Sequence, residues 1–154
     1  MPVEIERKYL VNSNTWKKEV KDSFELKQGY LSTEPERTVR VRIKRQEAFL
    51  TIKGITKGLS RTEHEYPIPV EDAQTLLTMC TAAPIEKVRH LVEYAGLTWE
   101  IDVFSGANLG LVLAEVELGA EDQEFAVPDW VGEEVSDDPR YFNAQLYVEP
   151  FTLW

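Results

Sequence analysis

The stretch Val3-Glu4-Ile5-Glu6-Arg7-Lys8 begins the first of several alternating runs, and it guides the interpretation of the whole chain. In an extended strand, Glu4, Glu6 and Lys8 share one side. Val3 and Ile5 then share the opposite side, an alternation that is typical of half-buried β-strands. Runs of this kind cover residues 3–11, 25–31, 38–44, 49–55, 61–68, 85–93, 97–104 and 111–118. The pattern predicts eight strands joined by short turns.

The chain also carries a faint internal repeat. Glu4-Ile5-Glu6 recurs as Glu63-His64-Glu65, and each copy is followed by a predicted helix, at residues 15–21 and 69–79, and then by three strands. The alternative is that two such triplets coincide in an acidic chain. A duplicated β-α-β3 unit supplies eight antiparallel strands, which can close around side chains or one small ligand. We therefore expect an α+β fold, a closed eight-stranded antiparallel β-barrel with helices packed outside.

Length and composition are those of one ordinary domain. The chain has 154 residues, with 17 Lys and Arg against 27 Asp and Glu and a net charge of -10. We expect a single domain over residues 1–154. Residues 1–118 would form the barrel with two helices, and residues 119–154 an acidic arm and a C-terminal helix. The acidic total argues against a nucleic-acid duplex as partner, because a duplex binder needs a basic face.

Several locations and site types can be set aside. No stretch approaches the roughly 20 apolar residues of a membrane span, and the first residues lack the pattern of a signal peptide. We therefore expect a cytoplasmic protein without membrane contact. The single Cys80 excludes an internal disulfide, while His64 and His90 leave little for a histidine-based metal site. Any metal would have to be held by carboxylates.

The polar faces of the predicted strands are sorted by charge. Like charges stand two residues apart, roughly 7 Å, which is repulsive unless an opposite charge lies between them. The carboxylates are Glu4, Glu6, Glu63, Glu65, Glu100, Asp102, Glu115 and Glu117, and the basic residues are Lys8, Arg40, Arg42, Lys44, Lys53, Arg61, Lys87 and Arg89. A plain barrel would carry these charges outside. The helices need an apolar surface to cover, however, so we predict that the aliphatic positions face outward and that the charges line a tunnel.

A tunnel lined by both carboxylates and basic side chains fits a ligand that can interact with both. Mg²⁺ and Mn²⁺ take oxygen ligands and are commonly shared between carboxylates and a substrate phosphate. Arg and Lys side chains bind phosphate oxygens directly. Residues 54–58 lack the spacing of a glycine-rich phosphate loop, so side chains must supply these contacts. A short polyphosphate chelated by metal satisfies both walls.

The ordered motifs resemble the CYTH, or triphosphate tunnel metalloenzyme, superfamily, and in particular its short bacterial inorganic triphosphatase-like members. The resemblance begins with the ExExK pattern of residues 4–8 and extends across nearly the whole chain. The other motifs that carry it are Gln28-Gly29-Tyr30-Leu31, Arg40-Val41-Arg42-Ile43-Lys44, Thr51-Ile52-Lys53, Glu63-His64-Glu65, Lys87-Val88-Arg89, Trp99-Glu100-Ile101-Asp102, Glu115-Val116-Glu117-Leu118 and Asp138-Pro139-Arg140-Tyr141-Phe142-Asn143. The resemblance implies a barrel tunnel and metal-dependent action on triphosphates. Cyclases of the superfamily carry a His-Phe pair before ExExK, which these residues do not show.

The resemblance also implies roles for individual residues. The expected metal ligands, for two Mg²⁺ or Mn²⁺ ions, are Glu4, Glu6, Glu115 and Glu117. Glu63 or Glu65 would assist Glu4 in holding the second ion and a water. The expected substrate-binding residues are Lys8, Arg40, Arg42, Lys53, Arg61, Lys87, Arg89 and Arg140. The expected catalytic residues are Glu4, Glu65, Lys87 and Tyr30.

We expect hydrolysis of the terminal phosphate of a bound triphosphate, with inorganic tripolyphosphate preferred because no base-reading or ring-stacking element is evident. One alternative is hydrolysis of an organic triphosphate, such as thiamine triphosphate or a nucleotide. Another is a module that binds polyphosphate or a nucleotide without cutting it. The carboxylates disfavour that module, since they repel phosphate unless metals intervene. A homodimer is implied by the resemblance alone.

Overall fold

The computed structural model describes residues 3–154, so Met1 and Pro2, the first residues of the expected domain, lie outside the described part. Nine strands are present in it. They are β1 (Val3–Val11), β2 (Asp22–Ser32), β3 (Thr38–Lys44), β4 (Glu47–Lys53), β5 (Ser60–Ile68), β6 (Ile85–Tyr94), β7 (Leu97–Phe104), β8 (Val112–Glu117) and β9 (Val131–Glu134). The α-helices are α1 (Val70–Thr78) and α2 (Asn143–Val148), and 3-10 turns cover Thr15–Glu19, Gly106–Asn108, Pro139–Tyr141 and Phe151–Leu153.

The first eight strands close into an antiparallel barrel. Their neighbours run β5-β4-β3-β2-β6-β7-β8-β1, and β1 returns to β5 through the pairs Val3 with Thr62, Glu4 with Arg61 and Ile5 with Ser60. If each strand from β1 to β4 is exchanged with its counterpart from β5 to β8, the order of neighbours around the barrel is unchanged. The predicted closed barrel is confirmed, and its connectivity is that of the duplicated unit.

The outer face of the barrel is apolar where other elements cover it. Ala73, Leu76 and Leu77 of α1 pack on Val41 and Ala48, on the outside of β3 and β4. The predicted outward orientation of the aliphatic positions is therefore confirmed here. Burial of these side chains is the main favourable contribution to such packing, at about 25 cal/mol per Å² of apolar surface.

A second apolar cluster covers the outside of β7, β8 and β1. Trp99 is fully buried there, and its ring meets that of Trp130 edge-on at 5.7 Å between centroids. Trp16 joins the same cluster from the turn Thr15–Glu19. The acidic arm after residue 118 is thus anchored by Trp130, and it adds the ninth strand, β9, which pairs with β1 at Tyr9 and Val11.

Two local predictions differ from the structure. The segment predicted as a first helix is the 3-10 turn Thr15–Glu19, because β2 already begins at Asp22, where it pairs with Leu91 of β6. The C-terminal helix is only six residues long, and Pro139 starts a separate 3-10 turn before it. Among residues 3–154 the longest helix, α1, has nine residues, and none has the length and apolar character needed to cross a membrane.

One end of the barrel interior is closed by apolar packing. Ile85, Phe104 and Leu113 lie two residues from Lys87, Asp102 and Glu115 and so face the same side of their strands. Tyr141, Leu146 and Tyr147 of the C-terminal segment pack against them. The C-terminal segment therefore caps this end, and the charged part of the interior opens away from it.

Candidate active site

The barrel encloses a cavity of about 510 Å³ whose wall is rich in charged side chains. The predicted charges thus face inward, as the tunnel interpretation requires. The predicted site residues that line the cavity are Glu4, Glu6, Lys8, Tyr30, Arg40, Arg42, Lys53, Arg61, Glu65, Arg89, Glu115 and Glu117, together with Glu63 and Glu100. The predicted site residues and tunnel charges that are missing from this lining are Lys44, Lys87, Asp102 and Arg140.

Carboxylates from β1 and β8 form one wall. Glu6 lies opposite Glu117 in the antiparallel pairing of these strands. Glu115 is the ion-pair partner of Lys8, at 3.4 Å, and Glu4 of Lys53, at 2.9 Å. Burial, with the added repulsion of Glu115 and Glu4, raises the pKa of Glu6 well above its usual value. This wall has negative charge in excess and would be stabilised by a cation.

The donor set of this wall suits a hard divalent cation. Glu4, Glu6, Glu115 and Glu117 offer only carboxylate oxygens, the ligands that Mg²⁺ and Mn²⁺ prefer. Within the described residues, 3–154, no three of these groups converge on one point as a ready-made metal site. Glu4 is occupied by Lys53 and Glu115 by Lys8, so these two carboxylates would exchange an ammonium partner for a metal ion.

The opposite wall is basic and crowded. Arg40 donates to Thr51 Oγ1 at 3.2 Å and lies 3.6 Å from Glu65, yet its buried Nε has no hydrogen-bond partner within residues 3–154. Burial, with repulsion from Arg40 and Arg89, lowers the pKa of Arg42 to about 9. Buried cations in this proximity repel each other unless an anion lies between them. The wall therefore favours a polyanionic ligand.

Lys87 lies behind this wall, fully buried. Its Nζ contacts Asp102 at 2.6 Å and donates to Asn143 Oδ1 at 2.9 Å. Asp102 also accepts two hydrogen bonds from Arg89, at 2.8 and 2.9 Å. Burial, assisted by Arg89 and Arg42 and opposed by Asp102, lowers the pKa of Lys87 to about 7. The two adjacent cations hold the pKa of Asp102 far below its usual value despite its burial.

The mouth of the cavity is shaped by the β4–β5 loop. Arg61 donates from Nε and Nη2 to the carbonyl oxygen of Gly54, at 3.0 and 2.9 Å. Ile55, Thr56 and Leu59 line the cavity beside it. Arg61 thus lines the cavity and also holds this loop in place through its hydrogen bonds.

Arg140 does not reach the cavity, contrary to its predicted role in substrate binding. It pairs with Asp138 at 2.8 Å, is largely exposed, and lies over the ring of Trp154. Asp138 also accepts a hydrogen bond from the backbone N–H of Arg140, and these contacts hold the Arg140 side chain outside the cavity. His64 and His90 face away from the interior, and Cys80 packs beside the C-terminal cap.

Sequence reasoning missed two amides of the site. Gln28 is fully buried and bonds Arg42, while Asn143 lines the cavity and bonds Lys87. Gln28 could have been found, because it alternates in phase with Tyr30 on one strand. Asn143 could not have been placed, since no local pattern shows where the C-terminal segment packs.

Comparisons with known proteins agree with this geometry. The family model described as the CYTH domain matches residues 2–142. An inorganic triphosphatase of Acetivibrio thermocellus is 43% identical over 152 residues, covering 98% of this chain and 97% of that protein. An inorganic triphosphatase of Nitrosomonas europaea is 40% identical over 148 residues, covering 93% and 95%. A crystal structure described as an inorganic triphosphatase superposes with a TM-score of 0.67 at 35% identity, covering 96% of each chain.

Proposed function

The chain belongs to the CYTH domain family, and from this premise we propose that it is a metal-dependent triphosphatase that removes the terminal phosphate of inorganic tripolyphosphate. Residues 1–154 would act as one domain. The products would be phosphate and pyrophosphate, with a P–O bond to water formed and a bridging P–O bond broken. Mg²⁺ or Mn²⁺, as two ions, a homodimer and a cytoplasmic location are part of this proposal.

One observation supports the proposal above all others. A single cavity brings a carboxylate wall and a crowded arginine and lysine wall face to face. A polyphosphate alone would be repelled by the carboxylates, and a metal ion alone would be repelled by the cations. A metal-chelated triphosphate satisfies both walls at once, which a binding module for plain polyanions would not require.

The residues divide the work between binding and chemistry. Glu4, Glu6, Glu115 and Glu117 would hold the metal, which when bound polarises the phosphoryl oxygens and neutralises developing charge. Lys8, Arg40, Arg42, Lys53 and Arg89 would bind the phosphates, with Arg61 at the mouth. Lys87 would support this wall from behind through Asp102 and Asn143. These fixed cations stabilise the charge spread over the transferred phosphoryl group.

Two lining residues suit the positioning of water and substrate. Glu65 Oε2 accepts a hydrogen bond from Thr51 at 2.9 Å and stays accessible from the cavity, so it would orient the attacking water. Tyr30 OH accepts from Gln28 Nε2 at 3.3 Å, which leaves its own proton free to donate to a phosphate oxygen. Glu4 is paired with Lys53, and it would act beside Glu65 once Lys53 binds a substrate phosphate instead.

The test is phosphate release from tripolyphosphate, pyrophosphate, ATP and thiamine triphosphate, each with Mg²⁺, with Mn²⁺ or with a chelator. We expect metal-dependent release that is fastest from tripolyphosphate and is lost in Glu117→Gln. Glu86→Gln, an exposed change on the outer side of β6, is the matched control and should keep full activity. Faster phosphate release from ATP or thiamine triphosphate would reject tripolyphosphate as the preferred substrate. Tight binding of these compounds without phosphate release from any of them would reject the hydrolase activity.

A further inference from the structure

Two neutral amide side chains connect cations of the basic wall. Gln28 Oε1 accepts from Arg42 Nε at 2.9 Å, and Gln28 Nε2 donates to Asn143 Oδ1 at 3.4 Å. The same Asn143 oxygen accepts from Lys87 Nζ at 2.9 Å. A chain of hydrogen bonds therefore runs from Arg42 on β3 to Lys87 on β6. Its last link is supplied by the C-terminal helix rather than by the barrel.

The chemistry of an amide suits this position. Gln28 offers an oxygen to a cation at one end and an N–H to a carbonyl at the other, so the link adds no charge. A carboxylate here would neutralise cations that a polyphosphate needs. Because Gln28 is fully buried, loss of Arg42 would remove the donor to its Oε1, and loss of Asn143 would leave its Nε2 with Tyr30 OH alone. Unpaired polar groups are costly in a low-dielectric interior.

Within residues 3–154 no side chain caps helix α2, whose N-cap position is held by Phe142. Asn143 is the first helical residue after it. Its side chain turns instead into the barrel, where it lines the cavity beside Phe142. Lys8 Nζ donates to the carbonyl oxygen of Tyr141 at 3.0 Å, so the same segment contacts a second interior lysine.

We propose that Gln28 and Asn143 form an amide bridge that ties Arg42 to the buried Lys87 and so positions Arg42 for the substrate's phosphates, which makes the C-terminal segment a working part of the site. Asn143 and Gln28 are positioning residues in this scheme, since they act through the cations that they hold. The inference rests on the proposed function, because it names the residues that prepare the basic wall for tripolyphosphate.

The test is a double-mutant cycle of Gln28→Ala and Asn143→Ala, read as kcat and KM for tripolyphosphate. Loss of a hydrogen bond to a charged group predicts that each single change lowers kcat/KM by about 10- to 100-fold. If the two amides act as one bridge, the double variant should lose no more than the stronger single variant. Val148→Ala, an exposed position on the same helix, is the matched control and should remain within about 2-fold of the unchanged protein.

Asn143→Asp separates positioning from a purely structural role. It keeps the acceptor shape but adds a charge beside Lys87, so KM for tripolyphosphate should rise at neutral pH and recover as the pH falls and the new carboxyl is protonated. Thermal unfolding of each variant shows which variants are folded. If Asn143→Ala does not fold, the Asn143→Asp variant provides the test instead. Fold-losses that multiply in the double variant, or a KM of Asn143→Asp that does not vary with pH, would overturn the bridge. An unchanged protein that neither binds nor cleaves tripolyphosphate would instead overturn the proposed function itself.

Discussion

Glu6 on β1 and Glu117 on β8 are direct cross-strand partners on the inner face of the barrel, and within residues 3–154 neither carboxylate has a basic side chain at ion-pair distance. Like charges that face each other in this way are destabilising. Burial and the neighbouring carboxylates also raise the pKa of Glu6. The pair therefore destabilises the metal-free protein, and a bound divalent cation would remove the repulsion between the two carboxylates.

Glu6→Gln should stabilise the metal-free protein while it abolishes metal-dependent hydrolysis. A raised pKa means that the folded chain holds this proton more tightly than the unfolded chain, so stability falls as the pH rises toward the folded pKa. Glutamine avoids that loss. We expect Tm at pH 8 to exceed that of the unchanged protein by at least about 2 °C, the shift that about 1 kcal/mol produces in a domain of this size.

Scanning calorimetry with a chelator from pH 4 to pH 8 checks this prediction. The advantage of Glu6→Gln should grow with pH, and it should vanish or reverse when Mg²⁺ is added. Glu86→Gln is the control, since this exposed carboxylate lies on the outer side of β6. A Glu6→Gln protein that is less stable than the unchanged protein throughout the range would contradict the assignment of this wall.

Asp102→Asn should be strongly destabilising. The carboxylate is buried and binds both Lys87 and Arg89, so its removal leaves Lys87 without an acidic partner and Arg89 with Glu100 alone. Breaking a buried pair in this way costs about 3–5 kcal/mol. Urea unfolding at pH 7 measures the loss. Glu93→Gln removes an exposed pair with Lys21 and should cost less than about 1 kcal/mol; equal losses for the two variants would contradict the prediction.

The sequence was sufficient for much of the fold and for the charged walls. Alternation places Glu4, Glu6 and Lys8 on one face whatever the surroundings, and eight such strands have few ways to close. It was less informative where structure depends on distant contacts. The turn Thr15–Glu19 carries a helix-like pattern, but the start of β2 is fixed by its pairing with β6.

The site shows the same division between local and distant information. Lys87 has the phase of a lining residue, yet Asn143 and Phe104 from other segments cover it, so it lies behind the wall. Arg140 follows a family-like motif, but Asp138 two residues earlier pairs with it outside the cavity. Neither outcome can be derived from strand periodicity, because both depend on how the C-terminal segment packs.

Lys87 should make stability depend on pH above neutrality. Its pKa of about 7 lies below the usual lysine value, so the unfolded chain binds more protons than the folded one between about pH 7 and pH 10. Stability from this group therefore rises with pH across that interval. Lys87→Met removes the titration. The Tm of the unchanged protein minus that of Lys87→Met should increase from pH 7 to pH 10, and a constant or falling difference would contradict a depressed pKa.

Gly58→Ala should disturb the mouth of the cavity. Gly58 has a φ of 62°, a left-handed conformation that favours glycine, and a Cβ there would lie 2.5 Å from Oε1 of Glu121. That oxygen accepts a hydrogen bond from the N–H of Leu59, at 2.6 Å, and so holds the β4–β5 loop to the acidic arm. We expect a loss of about 1–3 kcal/mol in stability and a several-fold higher KM for tripolyphosphate, with kcat less affected.

Gly54→Ala, in the same loop, is the matched control for this change. Its Cβ would make only an ordinary contact, 3.6 Å from Cβ of Thr62, and its φ lies outside the left-handed region. The carbonyl oxygen that Arg61 binds would be retained. If Gly54→Ala raises KM as much as Gly58→Ala does, then the loop tolerates no added side chain at all. The contact between Glu121 and Leu59 would in that case not be what holds the mouth in shape.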